Sequence, residues 1–313
     1  MFESPASISV VVPMYNEEGN VAELHREIVE VCEGQGYRYE IIFVDDGSTD
    51  GTFDIIRTLK PVICVRFRKN FGQTAAMDAG IKRAQYPLIV TMDGDRQNDP
   101  ADIPRLIAEM EKTGRDVISG WRRKRKDDLM KKIFSRGAHL LRRMMVHDGI
   151  HDSGCSLKVY RKECFQGVSL YGEMHRFIPA VLKIKGFTIG ELEVNHRPRT
   201  TGVTKYNWRR SIKGFLDMLS VWFWNKFAVR PLHLLGGLGL LSIFGGLMVS
   251  LVGIILYFQG INTFKNVLPI FAIFLLLTGL QLFVFGLIAD MLAKNYFGTT
   301  EDVPYKVREE LEQ

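Results

Sequence analysis

Apolar residues follow two patterns along the chain. Up to about Arg230 they come as short runs broken by polar and glycine-bearing stretches; from Pro231 to Ala289 they are nearly continuous. In the first part, ISVVV predicts a buried strand over Ile8–Val12, and Glu18–Glu33 predicts a helix. A second strand is predicted over Tyr39–Val44, with a short helix in Asp50–Leu59. Val62–Phe67 reads as a third strand, Thr74–Ala84 as a third helix, and Tyr86–Thr91 as a fourth strand. Alternation of this kind predicts an α/β fold with a mainly parallel sheet and right-handed crossovers. Ligands of such sheets bind outside the carboxyl ends of the strands. The densest acidic groups, Asp45-Asp46 and Asp93-Gly94-Asp95, follow the second and fourth strands.

The second pattern predicts a membrane anchor. Leu232–Phe258 is 27 residues without Asp, Glu, Lys or Arg, and Val267–Ala289 is another 23. About 20 helical residues cross a hydrocarbon core of about 30 Å, so each run is long enough. Only QGINTFKN joins them, which makes an antiparallel hairpin. Gly236, Gly237, Gly239, Gly245 and Gly246 suit close helix packing, including packing between protomers. Arg209, Arg210, Lys213, Lys226 and Arg230 precede the first span and Lys294 follows the second, while the hairpin tip holds only Lys265. The positive-inside rule then puts both ends of the hairpin in the cytoplasm. Ser211–Phe227, with Trp222 and Trp224 among scattered charges, reads as a helix lying in the membrane interface. The expected organisation is a cytoplasmic α/β domain over 1–207, interfacial helices over 208–230, two transmembrane helices over 231–290 and a cytoplasmic tail over 291–313.

Charge sharpens this picture. The chain of 313 residues carries a formal charge of +6. Ten Lys/Arg lie between Arg122 and Arg143, against only Asp127 and Asp128. Such a run suits an anionic partner, and beside a membrane anchor that partner is a lipid phosphate or headgroup. No nucleic-acid reader motif accompanies it. Cys32, Cys64, Cys155 and Cys164 form no C-x-x-C pair and read as reduced thiols. The N-terminal stretch has no basic start before an apolar run, so no signal peptide is expected.

The candidate chemistry lies at the strand ends. The position after the first strand holds Pro13-Met14-Tyr15-Asn16-Glu17-Glu18, not G-x-G-x-x-G, and no Walker A sequence occurs. A glycine cradle for phosphate is therefore not expected, and a metal takes its place. Asp93 and Asp95, two residues apart, can approach one ion together, with Gly94 allowing the backbone to turn closely. Oxygen ligands of this kind suit Mg²⁺ or Mn²⁺ completed by phosphate oxygens. Asp45 or Asp46 can accept hydrogen bonds from a base or ribose, while Ser48 or Asp50 caps the next helix. His147, His151 and Asp152 read as packing or ordering contacts rather than a transition-metal site.

VVPMYNEE, VDDGSTDGT, KNFGQTAAMDAG, MDGDRQNDP, SRGAHLLRR, DSGCSLKVY and HRPRTTGVTKY occur in this order. Together they resemble family 2 glycosyltransferases of the dolichol-phosphate-mannose synthase type, over about residues 6–210. The two-span tail is similar to the bacterial polyprenyl-phosphate glucosyltransferase branch. The resemblance implies a GT-A (Rossmann-like) fold and inverting transfer of one sugar from a nucleotide-sugar, UDP-glucose first, to undecaprenyl or dolichyl phosphate. It implies that Pro13, Tyr15, Glu17, Asp45 and Asp46 hold the nucleoside. Asp93, Asp95 and Gln97 would hold the metal and diphosphate, and Arg199 and Lys205 would close on the donor. Arg122, Lys131, Ser135 and Arg136 would meet the acceptor phosphate; Asp152 would order that site, and His175 and Arg176 would lie near the sugar. Lys69 and Lys131 stand where arginine is common, which keeps charge but loses bidentate phosphate binding. A homo-oligomer, a tetramer in the resembling branch, is also implied. The competing readings are a GDP-mannose-using enzyme, a processive polysaccharide synthase, whose Q-x-x-R-W motif is absent, and a non-enzymatic nucleotide-sugar-binding scaffold.

Overall fold

The computed structural model describes residues 6–123, 150–168, 170, 172, 174–198, 223, 227, 230–261 and 267–299. They divide into two compact units, one within Met1–Trp222 plus Tyr305–Gln313 and one within Phe223–Pro304.

In the first unit, β1 (Ser7–Met14), β2 (Arg38–Asp45), β3 (Ile63–Arg66), β4 (Leu88–Thr91), β5 (Val117–Trp121), β6 (Lys158–Arg161) and β7 (Ile189–Glu193) form one sheet. Their order is β3-β2-β1-β4-β6-β5-β7. Strands β1 to β4 pair in parallel, and β5 pairs in parallel with β7; β6 runs against both β4 and β5. The helices are α1 (Val21–Gly34), α2 (Thr52–Ile56), α3 (Gln73–Arg83), α4 (Ile103–Thr113) and α5 (Ile178–Ile184).

Helices cover both faces of the sheet. Along β1, Val10, Val12 and Met14 join the core formed with α1, α2 and α4, while Val11 joins α3 and α5 on the other side. Successive strand side chains point to opposite faces. A strand buried on both faces therefore carries an unbroken apolar run, which is why β1 and β2 were readable. Gly80 lets α3 lie close: any Cβ there would run into Val11 and Val44.

Strands β5, β6 and β7 were not identified from sequence. Strand β5 contains Gly120, β6 carries Lys158 and Arg161, and β7 is a half-buried edge strand of mixed polarity. None offers an apolar run.

The second unit holds α6 (Pro231–Phe258) and α7 (Leu268–Thr299), two helices long and apolar enough to cross a membrane. They meet along a seam of glycines. A Cβ on Gly239 would lie 2.7 Å from the Gly279 carbonyl oxygen, and one on Gly286 would lie 3.0 Å from the Gly236 nitrogen. The Ser242 hydroxyl donates to the Leu275 carbonyl at 2.8 Å. Of the five glycines noted above, Gly236, Gly239 and Gly246 face α7; Gly237 meets nothing within 4 Å and Gly245 only Leu275 at 3.8 Å. Close packing by this seam is thus within the hairpin. Helix α7 continues past Ala289, where Lys294 pairs with Asp290 one turn away at 2.7 Å. Most of the interfacial segment lies outside the described residues; Phe223 and Phe227 are helical, with ring centroids 5.9 Å apart.

Candidate active site

Strand β1 lies between β2 and β4, so the crossovers leaving β1 and β3 go to opposite sides of it. This is a topological switch point, and the carboxyl ends of β1 and β4 frame the crevice expected there. Asp93 to Asp99 follow β4 into it. The Asp93 amide donates to Asn98 Oδ1 at 3.1 Å, and the Gln97 amide to Asp95 Oδ1 at 3.2 Å. Gly94 is required by space: a Cβ would press on the Met14 thioether and lie 3.2 Å from the Pro13 carbonyl. Arg96 takes a left-handed conformation, φ 59°, and its guanidinium reaches Glu27 at 2.7 Å and Glu23 at 3.5 Å. Asp99 accepts from the Ala101 amide at 3.1 Å and caps the following turn.

Asp93 is half-buried and accepts from Gln73 Nε2 at 2.6 Å; Asp95 is buried. Burial and then the charge of Asp95 push the Asp93 carboxyl above its usual range, against Ser156, Arg122 and Lys158. A like-charge pair of this kind is relieved by a cation. Among the described residues no group of three His, Cys, Asp or Glu can hold a metal. The described residues thus offer two carboxylates here, oxygen donors that phosphate and water would complete around an ion. That donor set fits Mg²⁺ or Mn²⁺.

The Asp45-Asp46 pair is built differently. Asp45 is fully buried; Oδ1 accepts from the Ser48 amide at 2.9 Å, and Oδ2, 3.3 Å from Arg66 Nε, accepts no hydrogen bond. Ion-paired to Arg66 and without a hydrogen-bond donor among the described residues, that oxygen suits a donor from a base or ribose. Both oxygens of Asp46 are taken by backbone, the Phe71 amide at 2.7 Å and the Gly72 amide at 2.9 Å. Gly47, φ 69°, lies against the Lys69 backbone. The Ser48 hydroxyl accepts from the Asn16 amide at 3.0 Å, and Thr52 accepts from the Glu17 amide at 2.8 Å. Asp50, one residue before the Gly51 N-cap of α2, accepts from the Thr52 amide at 3.0 Å. Pro13 is buried in β1, Tyr15 is 37% exposed, and Glu17 accepts from Asn20 Nδ2 at 2.6 Å.

Arg122 follows β5 and forms a two-point pair with Asp152, Nε to Oδ2 at 2.7 Å and Nη2 to Oδ1 at 3.0 Å. Burial raises the Asp152 carboxyl, but the hydrogen bonds and charge of Arg122 outweigh it and leave it below its usual range. His151 stacks on Trp121, centroids 4.7 Å apart, and its Nδ1 meets Glu191 at 2.8 Å; this is an ordering contact. His175 shares a 2.8 Å hydrogen bond with Thr74 at the start of α3, and Arg176 stands beside it in a short turn. Lys131, Ser135, Arg136, His147, Arg199 and Lys205 lie outside the described residues. The four cysteines are free; burial raises Cys32 and Cys164 to about 12 and Cys64 and Cys155 to about 11, so none is a ready thiolate.

Asn98–Pro100 supplies the turn after the acidic pair, as the sequence suggests; Gln73, Ser156 and Lys158 were missed. Ser156 donates to Asn98 Oδ1 at 2.7 Å, so one amide oxygen holds both the Asp93 backbone and the turn before β6. A cavity of about 720 Å³ lined by Lys82, Leu88 and Arg161 lies at the opposite, amino end of β4.

Residues 9–168 match glycosyl transferase family 2. The chain is 40% identical over 313 residues to dodecaprenyl-phosphate galacturonate synthase of Rhizobium johnstonii, covering 96% of this chain and 92% of that one. It is 31% identical over 296 residues to undecaprenyl-phosphate 4-deoxy-4-formamido-L-arabinose transferase of Salmonella paratyphi B, covering 92% and 89%. Among solved structures, glucosyl-3-phosphoglycerate synthase from Mycobacterium tuberculosis, in complex with Mn²⁺, UDP and glucosyl-3-phosphoglycerate, superposes with a TM-score of 0.55 at 16% identity, covering 70% of this chain and 80% of that one. The shared architecture is the GT-A fold. An acidic pair at its switch point, on a chain matched almost end to end by polyprenyl-phosphate sugar transferases, makes this protein a glycosyltransferase, and the chain belongs to glycosyl transferase family 2.

Proposed function

We propose that this enzyme transfers one sugar from a UDP-sugar to a polyprenyl phosphate at the cytoplasmic membrane face, with inversion at the anomeric carbon. One observation carries the reading: Asn98 Oδ1 accepts from both the Asp93 amide and the Ser156 hydroxyl, and the turn that ends at Ser156 begins at Asp152, the partner of Arg122. A site for a diphosphate-bound cation thus adjoins a cation for a second phosphate. The relatives' names, and two helices able to span a bilayer, support a lipid acceptor.

The acceptor is a phosphate monoester with a second pKa of about 6. At neutral pH its attacking oxygen is already anionic, so no general base is needed. Arg122, fixed by Asp152, would orient that phosphate. The new bond from acceptor oxygen to anomeric carbon forms as the bond to the donor diphosphate breaks on the opposite face. Asp93, Asp95 and Gln97 would hold Mg²⁺ or Mn²⁺, which when bound stabilises charge on the departing diphosphate. Asp45 Oδ2 would accept from the nucleoside, and Tyr15 is accessible to pack on it. His175 and Arg176 would border the sugar.

UDP-glucose is the donor implied by the two-span tail; the 40%-identical relative favours UDP-galacturonic acid. The test gives purified protein polyprenyl phosphate, Mg²⁺ or Mn²⁺ and a panel including UDP-glucose, UDP-galacturonic acid and GDP-mannose, with Asp95→Ala alongside. Metal-dependent glycosyl phospholipid, lost in the variant, is the expected product and names the donor. Donor binding without lipid product from any acceptor overturns the reading.

A further inference from the structure

Lys158 is a buried lysine in the middle of the sheet, which the fold alone does not explain. It sits on β6 beside Thr91 of β4 and Ser119 of β5, and is 2% exposed. Its neighbours Val159 and Tyr160 fill the sheet with apolar bulk. A buried ammonium in that place is costly unless well partnered. Its partners are backbone: Nζ donates to the Cys155 carbonyl and reaches the Ser153 carbonyl at 3.5 Å. Both belong to the turn Asp152–Ser156, which has a functional contact at each end. Asp152 grips Arg122. Ser156 donates to Asn98, which receives the Asp93 amide, and the Ser156 carbonyl accepts from the Thr91 hydroxyl at 2.8 Å.

We propose that Lys158 is a positioning residue: by clamping the 152–156 turn from beneath, one buried ammonium sets the acceptor-phosphate arginine and the metal-binding acid in register. The inference rests on the roles given to Arg122 and Asp93 above. It makes the turn a rigid spacer between two phosphate sites, so loosening it harms both at once. Loss of either arm alone harms one.

The test uses the full chain in detergent and two readouts: Mn²⁺ affinity by electron paramagnetic resonance without substrates, and KM for a short polyprenyl phosphate. K158M keeps the length and removes the donors. It is expected to weaken Mn²⁺ binding by about 10- to 100-fold, the usual effect of losing an outer-sphere support, and to raise acceptor KM as well. K158R, which retains charge and donors, should recover most of both. S156A should move Mn²⁺ affinity and spare acceptor KM; D152N should do the reverse. Unchanged constants in K158M, or a fall only in its unfolding temperature, overturn the proposal. If K158M does not fold, the separate effects of S156A and D152N decide, and a uniform effect of both on both readouts overturns it. Absence of lipid product from the wild type would sink the assigned function instead, and the Mn²⁺ readout would still test Lys158.

Discussion

Asp45-Asp46 and Asp93-Asp95 look alike in sequence, since each acidic pair follows a buried apolar strand. Their surroundings separate them. Asp46 spends both oxygens on the amides of Phe71 and Gly72 and so builds the loop before α3. Asp93 and Asp95 are bound into their own turn and repel each other across it. A carboxylate saturated by backbone amides is architecture; the pair that follows β4 at the switch point is the one proposed above to seat a cation. What distinguishes them is the kind of donor: two backbone amides hold Asp46, whereas the Gln73 side chain meets Asp93.

The largest effect that could break this contrast is in Asp95→Ala. Turnover should fall by about 10²-fold or more, the scale of losing a preorganised electrostatic contact to a leaving group. Its unfolding temperature should change little, because the lost Gln97 amide contact is offset by removal of a repulsion from Asp93. Asp46→Ala should lower stability. It strands two amides, and a loss of about 1–3 kcal/mol is expected in calorimetric unfolding. If Asp46→Ala unfolds like wild type, the contrast fails.

A smaller effect sharpens it through pH. The folded state holds Asp152 below its ordinary range, so the stability it contributes is full above the ordinary carboxylate pKa and is lost as pH falls through the lowered value. Asp152→Asn should flatten that acid limb and cost about 1 kcal/mol near neutrality, the difference between a charge-assisted and a neutral bond. Unfolding midpoints measured from neutral pH downward would check it. Smallest of all is Glu30→Gln. Its partner Arg26 is exposed and the pair spans one helical turn, so no measurable shift in midpoint is expected.

Sequence reading reached the parts of this molecule where burial writes a simple pattern. Strands β1, β2 and β4 are apolar on both faces, and acids mark where β2 and β4 stop. Both long helices are apolar all round. It did not reach β5, β6 and β7, whose glycine, buried lysine and half-exposed edge hide any run. The acidic pair and Arg122 were legible as charged groups in motifs. Gln73 and Ser156 were not, because they are neutral and act through partners distant in the chain: Gln73 lies 20 residues from Asp93, and Ser156 lies 58 from Asn98. Asp46 was legible as a residue but not as a loop-builder, since its partners are backbone amides.

The glycine seam of the hairpin has a consequence for how the anchor can change. Contact between α6 and α7 is backbone against backbone at Gly239 and Gly279, so recognition between the helices is carried by a few positions without side chains. The bulky residues, Phe244, Leu251, Phe274 and Phe285 among them, face outward. Outer-face residues can therefore vary among apolar side chains while the seam stays intact. The hairpin in this sense is held together from within, by positions that carry no side chain.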